Sequence, residues 1–259
     1  MKVLAVGDLV GENGLQKLKK ELPLIQEAEH IDFTIVNAEN VGGGMGITKS
    51  NYQQLCELDI DVITMGNHTW GKMDVFKFIN EKNIIRPANY SKGVPGHGYT
   101  IVEKNNKKVA VVNLIGRTDM GVLSDNPFTC MDNIIKRIEN DVDMILLDFH
   151  AEATAEKIAM SYYLDGKISA MFGTRTHVQT ADERIMEKGT GYITDLGMTG
   201  PKESIIGMDI SASLKRFVTS LPERYKLAQG DCKLNGAIFE IDDESCRTKK
   251  VYRIECWKM

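Results

Sequence analysis

The sequence predicts an α/β protein in which most of the β-strands are parallel. Several apolar runs are too short and too continuously apolar for amphipathic helices, so they are typical of buried strands. These runs lie at residues 2–7, 33–37, 62–65, 109–114, 144–149, 170–173 and 192–196. Segments with helical spacing alternate with them, at residues 15–25, 51–58, 74–80, 131–139 and 154–163. Strands that alternate with helices favour βα units and a parallel sheet.

The pattern changes after Ser220 to strand and turn signals. Apolar runs at residues 234–241 and 250–256 flank a polar turn at residues 242–245. This arrangement predicts an antiparallel pair that completes the same domain. No linker rich in Pro, Gly or Ser divides the chain, and no repeat of fixed period is present. We therefore predict a single domain over residues 1–259.

Composition and charge exclude several classes of protein. The 259 residues are 42% apolar, which is enough for one substantial core and argues against disorder. The 32 basic and 36 acidic residues give a net charge of −4 without a long block of like charge, so neither polymeric nucleic acid nor a membrane is an expected partner. Five cysteines without a CxxC pair, and no segment of membrane-spanning or signal-peptide character, favour the cytoplasm. A homo-oligomer is compatible with this composition.

Side chains that can bind metal ions follow five of the predicted strands, at the point where each strand ends. They are Asp8, Glu39 with Asn40, Asn67 with His68, His150, and His177. The carboxyl ends of strands in an open parallel sheet converge on one crevice. A mixed set of oxygen and nitrogen donors suits Fe, Mn or Zn better than Ca or Mg. The sequence therefore predicts a transition-metal site at this edge of the sheet.

Each of these residues taken alone also has a plain structural explanation. An Asp after a strand is commonly a turn former or a helix N-cap, and a lone His is more often a hydrogen-bonded imidazole than a ligand. The coincidence at five strand ends favours the metal site. Covalent hydrolysis has little support, because no Gly-x-Ser-x-Gly elbow is present and no Cys stands at a strand end.

Five motifs resemble those of the calcineurin-like metallophosphoesterases in order and spacing. They are Gly7-Asp8, Asn37-Ala38-Glu39-Asn40, Met65-Gly66-Asn67-His68-Thr69, Asp148-Phe149-His150 and Gly173-Thr174-Arg175-Thr176-His177. Within that superfamily the chain is similar to the YmdB-like branch, through residues 63–70, 86–89, 177–182 and 197–201. The resemblance implies a four-layer α/β/β/α sandwich and two divalent or trivalent metal ions. It also implies phosphodiesterase activity on small cyclic nucleotides, notably 2′,3′-cyclic nucleoside monophosphates.

The resemblance also implies a role for each residue of the site. The implied ligands of the first metal are Asp8, Glu39, Asn40 and His177. Those of the second metal are Asn67, His150 and the bridging Glu39. His68 would face the substrate as general acid, while hydroxide activated by the metal ions attacks phosphorus.

Arg175 departs from the family pattern, which has a histidine at this place as a ligand of the second metal. A guanidinium cannot ligate a cation. Three outcomes follow: a weakly occupied second site, a one-metal enzyme in which Arg175 binds the substrate's phosphate, or a catalytically impaired regulatory protein that binds metal or nucleotide. A positive side chain beside a metal site costs electrostatic energy, which favours an enzyme with a weakened second site. Arg175 remains the candidate residue for substrate binding.

Overall fold

A computed structural model of the protein describes residues 1–256. Its elements, in chain order, are β1 (Lys2–Val6), β2 (Asp8–Leu9), α1 (Gly11–Glu29), β3 (Phe33–Asn37), α2 (Lys49–Cys56), β4 (Val62–Thr64), a short 3-10 helix (Met73–Lys77), β5 (Ile84–Ile85), β6 (Tyr99–Lys104), β7 (Lys107–Ile115), α3 (Pro127–Ile138), β8 (Met144–His150), α4 (Thr154–Leu164), β9 (Ala170–Thr174), β10 (Arg184–Ile185), β11 (Gly191–Ile193), β12 (Met198–Pro201), α5 (Ile210–Thr219), β13 (Cys232–Ile241) and β14 (Thr248–Cys256).

The strands form two sheets. The first has the order β2-β12-β13-β1-β3-β4-β5, with β14 paired to β13, and the second has the order β10-β11-β9-β8-β7-β6. β1, β3, β4 and β5 run parallel, as do β7, β8, β9 and β11. β13 pairs with β1 and β14 in antiparallel register. The predictions of parallel central strands and of an antiparallel pair at the end of the chain are both confirmed.

Side chains along each strand point alternately to the two faces of its sheet. Each sheet therefore packs against helices on one face and against the other sheet on its other face, which gives four layers. On one face of β1, Leu4 belongs to the apolar cluster that contains Leu15 and Leu18 of α1. On the other face, Val3 belongs to a cluster with Val111 of the second sheet. The outer face of the second sheet packs against α3 and α4. This order of helix, sheet, sheet and helix is the predicted α/β/β/α sandwich.

Two of the predicted elements are wrong in type or extent. The segment predicted as a helix at residues 74–80 is a short 3-10 helix that ends at Lys77. Val75, Phe78 and Ile79 are buried, so their spacing reflects packing of an irregular turn and not of an α-helix. The run at residues 192–196 leaves the sheet after Ile193. The backbone N–H groups of residues 194 and 195 donate to the side chains of Asp182 and Thr180 in the preceding loop, and not to a neighbouring strand.

α5 lies in a segment for which the sequence pattern predicted no helix. Its N-cap is Asp209, whose side chain accepts a hydrogen bond from Ala212 N–H at 2.9 Å, and it ends at Ser220 in the left-handed conformation. None of its residues is buried. Within residues 1–256, no helix combines the length and the apolar character needed to cross a membrane.

Candidate metal centre

The structure brings the predicted site residues together where the carboxyl ends of strands from both sheets meet. Asp8, Glu39, Asn40, Asn67 and His68 follow strands of the first sheet, and His150, Arg175 and His177 end or follow strands of the second. The metal-binding atoms of Asp8, Glu39 and His150 lie within 4.8 Å of one another, and all three side chains are buried. These residues form the core of a candidate metal centre that bridges the two sheets.

Glu39 lies at the middle of the centre. Its Oε1 is 3.1 Å from His150 Nε2 and 3.3 Å from His68 Nδ1. Its Oε2 accepts the backbone N–H of His68 at 2.9 Å. Asn67 Oδ1 lies 2.9 Å from the same His150 Nε2. A carboxylate with neighbours on both sides can bridge two cations, which is the role that the family resemblance implies for Glu39.

Gly66 allows this close approach. A Cβ atom at this position would lie 2.4 Å from Glu39 Oε2 and 2.4 Å from His150 Nε2, so any side chain would displace both groups. Position 66 therefore requires a glycine, because atoms of Glu39 and His150 occupy the space that a Cβ atom would fill.

Asp8 and His177 form the other side of the centre. Asp8 Oδ2 accepts the backbone N–H of Arg175 at 3.0 Å, whereas Asp8 Oδ1 is buried without a hydrogen-bond partner and lies 3.7 Å from His177 Nε2. His177 Nδ1 lies 2.9 Å from the carbonyl oxygen of Ile206, so this nitrogen carries the proton and Nε2 offers its lone pair. An orphaned carboxylate oxygen facing an imidazole lone pair suits a bound cation.

Asn40 lies between the histidines of the centre. Its Nδ2 is 3.2 Å from His177 Nε2, and its Oδ1 is 2.7 Å from His68 Nδ1. In this rotamer the amide nitrogen, and not the oxygen, faces the lone pair of His177. Rotation of the planar amide by about 180° exchanges the two atoms without changing its shape, and would direct the oxygen toward a metal ion beside His177.

A buried network orients His150. Thr174 Oγ1 donates to Asp148 Oδ1 at 2.7 Å and therefore accepts from His150 Nδ1 at 2.9 Å. Asp148 also accepts hydrogen bonds from Thr64 and Asn37. With Nδ1 protonated, the lone pair of His150 Nε2 faces the oxygens of Glu39 and Asn67. These three atoms are all electron-pair donors, so their close approach requires a positive charge between them.

The titration behaviour of the buried groups agrees with that requirement. Burial raises the pKa of Asp8 above its usual value and raises the pKa of Asp148 to about 6. Burial would also raise the pKa of Glu39, but the neighbouring His150 and His68 hold that pKa well below its usual range. Burial alone would lower the pKa of His150, yet Glu39 raises it above its usual value. Asp8 and Asp148 thus favour their protonated forms unless a positive charge lies nearby, whereas Glu39 stays ionised beside two histidines, and a cation between Asp8 and Glu39 would stabilise both carboxylates.

An ion pair that no sequence pattern indicated holds the loop after β9. Lys157 Nζ lies 2.7 Å from Asp195 Oδ2, and both side chains are fully buried. Asp195 also accepts the backbone N–H of Thr176 at 3.1 Å. The neighbours Arg175 and His177 have φ angles of 109° and 63°, a conformation that costs on the order of 1–3 kcal/mol per residue unless its surroundings impose it. The ion pair supplies part of that constraint.

The side chain of Arg175 interacts with an acidic residue at the rim of the centre. Its Nε lies 3.5 Å from Glu152 Oε2, and its side chain is 26% exposed. The guanidinium therefore lies where β8 and β9 end, next to the solvent-accessible opening. Nothing in the spacing of the sequence indicated Glu152 as its partner.

Thr174→Val is expected to weaken metal binding by about 10- to 100-fold, because the imidazole of His150 would lose the hydroxyl that fixes its tautomer. Titration of the metal-free protein with Mn²⁺, followed by calorimetry, would measure the change. Thr100→Val, at a buried threonine in the edge strand β6, is the control and should bind as wild type does. Equal affinity of both variants would contradict a role for Thr174.

The fold and the donor set fit a metal-dependent phosphoesterase built as an α/β/β/α sandwich, the class to which the named activities of its relatives also belong. The chain belongs to the YmdB-like protein family, whose sequence pattern matches residues 4–254. It is similar to the 2′,3′-cyclic-nucleotide 2′-phosphodiesterase of Bacillus subtilis (strain 168), with 47% identity over 255 residues that cover 98% of this chain and 96% of that protein.

Solved structures with the same fold include two that cover 99% of this chain. A hypothetical protein from Thermus thermophilus has a TM-score of 0.93 at 36% identity, with 99% of each chain covered. A phosphatase from Mycoplasma pneumoniae also has a TM-score of 0.93 at 36% identity, covering 99% of this chain and 93% of its own. The predicted family and fold class are thus confirmed.

Proposed function

We propose that the protein is a phosphodiesterase that hydrolyses small cyclic nucleotides, with 2′,3′-cyclic nucleoside monophosphates as its substrate class. The observation that carries this proposal is the buried cluster of Asp8, Glu39 and His150 at the junction of the two sheets. The substrate class is supported by the activity named for the Bacillus subtilis relative. The net charge of −4 favours a small substrate over polymeric nucleic acid, and five free cysteines favour action in the cytoplasm.

Two metal ions would be held by this centre, and the donor set fits Fe, Mn or Zn. The ligands of the first ion would be Asp8, Glu39, Asn40 and His177. The ligands of the second would be Glu39, Asn67 and His150. The orphaned Asp8 Oδ1 supports the first site, and the acceptors gathered around His150 Nε2 support the second. When bound, the ions supply an activated water molecule and neutralise the charge of the phosphate.

His68 would act as the general acid. Its Nδ1 lies 3.3 Å from Glu39 Oε1, a contact that does not depend on the orientation of the Asn40 amide, and its side chain is 26% exposed. This contact fixes the ring and leaves Nε2 for the substrate. As an imidazolium, His68 would donate the Nε2 proton to the sugar oxygen as that oxygen leaves phosphorus, which prevents the build-up of a basic alkoxide.

Arg175 would weaken the second metal site and bind the substrate's phosphate. Its side chain offers no lone pair to a metal, so the second ion has three protein ligands and a cation nearby. A guanidinium suits contact with two phosphate oxygens at once. Glu152, 3.5 Å from Arg175 Nε, offsets its charge and keeps it at the opening before substrate enters.

Three substitutions test this proposal through metal content, rate and KM. Asp8→Asn should lose the first ion, measured by mass spectrometry of protein prepared without chelators, and should not hydrolyse 2′,3′-cyclic AMP. Arg175→His should increase the metal content per chain toward two, and Arg175→Gln should raise KM for the cyclic nucleotide. Full activity of Asp8→Asn would exclude the proposed centre. A wild-type protein that holds metal and binds the nucleotide without hydrolysing it would support the regulatory alternative instead.

A further inference from the structure

The fully buried side chain of Asp195 links the two segments that carry Asp8 and His177. Asp195 Oδ2 accepts the backbone N–H of Thr176, the residue directly before His177, at 3.1 Å. Asp195 Oδ1 accepts the backbone N–H of Gly197 at 2.8 Å. The carbonyl oxygen of Gly197 in turn accepts the backbone N–H of Asp8 at 3.1 Å. The two oxygens of one carboxylate thus hold the backbone on both sides of the proposed first metal site.

Two glycines make the contact with the Asp8 segment possible. Gly197 has a φ angle of 81°, and a Cβ atom there would lie 2.9 Å from the Cβ atom of Gln179. A Cβ atom at Gly7, directly before Asp8, would lie 2.3 Å from the carbonyl oxygen of Gly197. The backbones before Asp8 and at Gly197 are therefore in direct contact, so a shift of Gly197 would move Asp8 with it.

Asp195 is itself held firmly enough to serve as a reference point. Its backbone N–H donates to Thr180 Oγ1 at 2.9 Å, and its carbonyl oxygen accepts the backbone N–H of Thr180 at 3.1 Å. Lys157 Nζ, 2.7 Å from Asp195 Oδ2, compensates the charge of the carboxylate. The stem of this lysine passes Gly173 of β9, where a Cβ atom would lie 2.9 Å from Lys157 Cδ. The carboxylate thus has a fixed place between the segments that it binds.

The proposed second metal site has a buried aspartate of its own. Asp148 accepts a hydrogen bond from Thr174, whose hydroxyl in turn contacts His150 Nδ1 at 2.9 Å. Asp195 instead binds backbone next to the proposed ligands of the first ion. The two aspartates therefore support different halves of the centre, and a substitution of Asp195 should act on the first ion.

We propose that Asp195 is a positioning residue for the first metal site. Its two oxygens set the distance between the segments that carry Asp8 and His177, and Lys157 keeps the carboxylate in place. Groups behind the ligands of a metal ion commonly orient those ligands in this way. The inference rests on the proposed function, because it concerns residues that would bind the first ion. An ion pair that served only the stability of the fold could instead be replaced by neutral groups without loss of metal binding.

Calorimetric titration of two variants with Mn²⁺ separates positioning from stability. Asp195→Asn leaves one acceptor oxygen for two backbone N–H groups and leaves the ammonium of Lys157 buried without its counter-charge, so melting temperature and metal affinity should both fall. Lys157→Met/Asp195→Asn removes both charges, so its melting temperature should recover. Its tighter Mn²⁺ step should nevertheless stay about 10- to 100-fold weaker than in the wild type. The tighter step belongs to the first site, because Arg175 would weaken the second.

Amide hydrogen exchange of the metal-free proteins gives a readout that needs neither metal nor substrate. In the double variant, the backbone N–H groups of Thr176 and Gly197 should exchange faster than in the wild type, whereas those in the middle of β8 should be unchanged. This local difference is expected only if Asp195 holds the two segments.

Asp165→Asn is the matched control. Asp165 also accepts two backbone N–H groups, from Lys188 at 2.9 Å and from Thr190 at 3.4 Å. It follows α4 and holds the loop that enters β11, whereas the proposed ligands lie where strands end. Its variant should bind Mn²⁺ as the wild type does.

A double variant with the melting temperature and the tighter Mn²⁺ affinity of the wild type would overturn the positioning role, because the ion pair would then serve stability alone. Unchanged exchange of the Thr176 and Gly197 amides in that variant would overturn it as well. A wild type that binds no Mn²⁺ would instead refute the proposed metal centre, and amide exchange would still decide whether Asp195 holds the two segments.

Discussion

Glu39→Gln is expected to lower the rate of cyclic-nucleotide hydrolysis by about 10³-fold and to remove most of the bound metal. The amide keeps the shape of the side chain but loses the negative charge that would be shared between two cations. Metal ions supply several kcal/mol to such reactions, and about 1.4 kcal/mol corresponds to a tenfold change in rate. Single-turnover kinetics with 2′,3′-cyclic AMP and metal analysis of the same preparation would measure both effects.

The control for this substitution is Glu187→Gln, at an exposed glutamate near β10. It removes the same charge from the protein without touching the centre, so its metal content and rate should equal those of the wild type. A Glu39→Gln protein that keeps the wild-type metal content and more than about a tenth of the rate would contradict the bridging role.

His68→Ala is expected to slow hydrolysis of 2′,3′-cyclic AMP by about 10²- to 10⁴-fold, the usual contribution of a general acid. The leaving group in that substrate is a sugar alkoxide, which needs a proton. Hydrolysis of bis(4-nitrophenyl) phosphate should change little, because nitrophenolate leaves without protonation. The ratio of the two rates is therefore the measurement, and it is insensitive to a uniform loss of active protein.

His97→Ala provides the histidine control. His97 is exposed and its Nε2 contacts the carbonyl oxygen of Asn80 at 3.2 Å, away from the centre. This variant should hydrolyse both substrates as the wild type does. If His68→Ala loses the same factor on both substrates, the residue orients other groups and does not transfer a proton.

The positions of the proposed ligands could be predicted from sequence because they depend on local features. Each proposed ligand follows a strand that is recognisable as an apolar run, and parallel strands bring those ends to one edge. Asp8, Glu39 and His150 were found in this way, and the structure places them within 4.8 Å of one another. The four-layer order came from the family resemblance, because strands that are buried on both faces are continuously apolar and do not show which face meets a helix.

The supporting interactions were not predictable, because their partners are remote in the sequence. Lys157 lies in a helix where a lysine is ordinarily exposed, and only the tertiary structure shows that it is buried beside Asp195. The bond from His177 to Ile206 uses a backbone carbonyl, which has no sequence signal. α5 differs from these cases, because it carries a sequence signal: Asp209 is a favourable N-cap, and Ile210, Leu214 and Phe217 recur at helical spacing.

The distribution of the proposed ligands over both sheets has a consequence for folding. An ion held by Asp8 and Glu39 from one sheet and by His150 from the other would link the two sheets at the edge where the carboxyl ends of their strands lie. Such an ion binds the folded chain and not the unfolded one, since the donors lie as far as 142 residues apart along the sequence. At a free metal concentration about 100 times the dissociation constant, this coupling would add about 2.7 kcal/mol to the free energy of unfolding. Metal supply in the cell would then set how long the protein survives, and not only how fast it works.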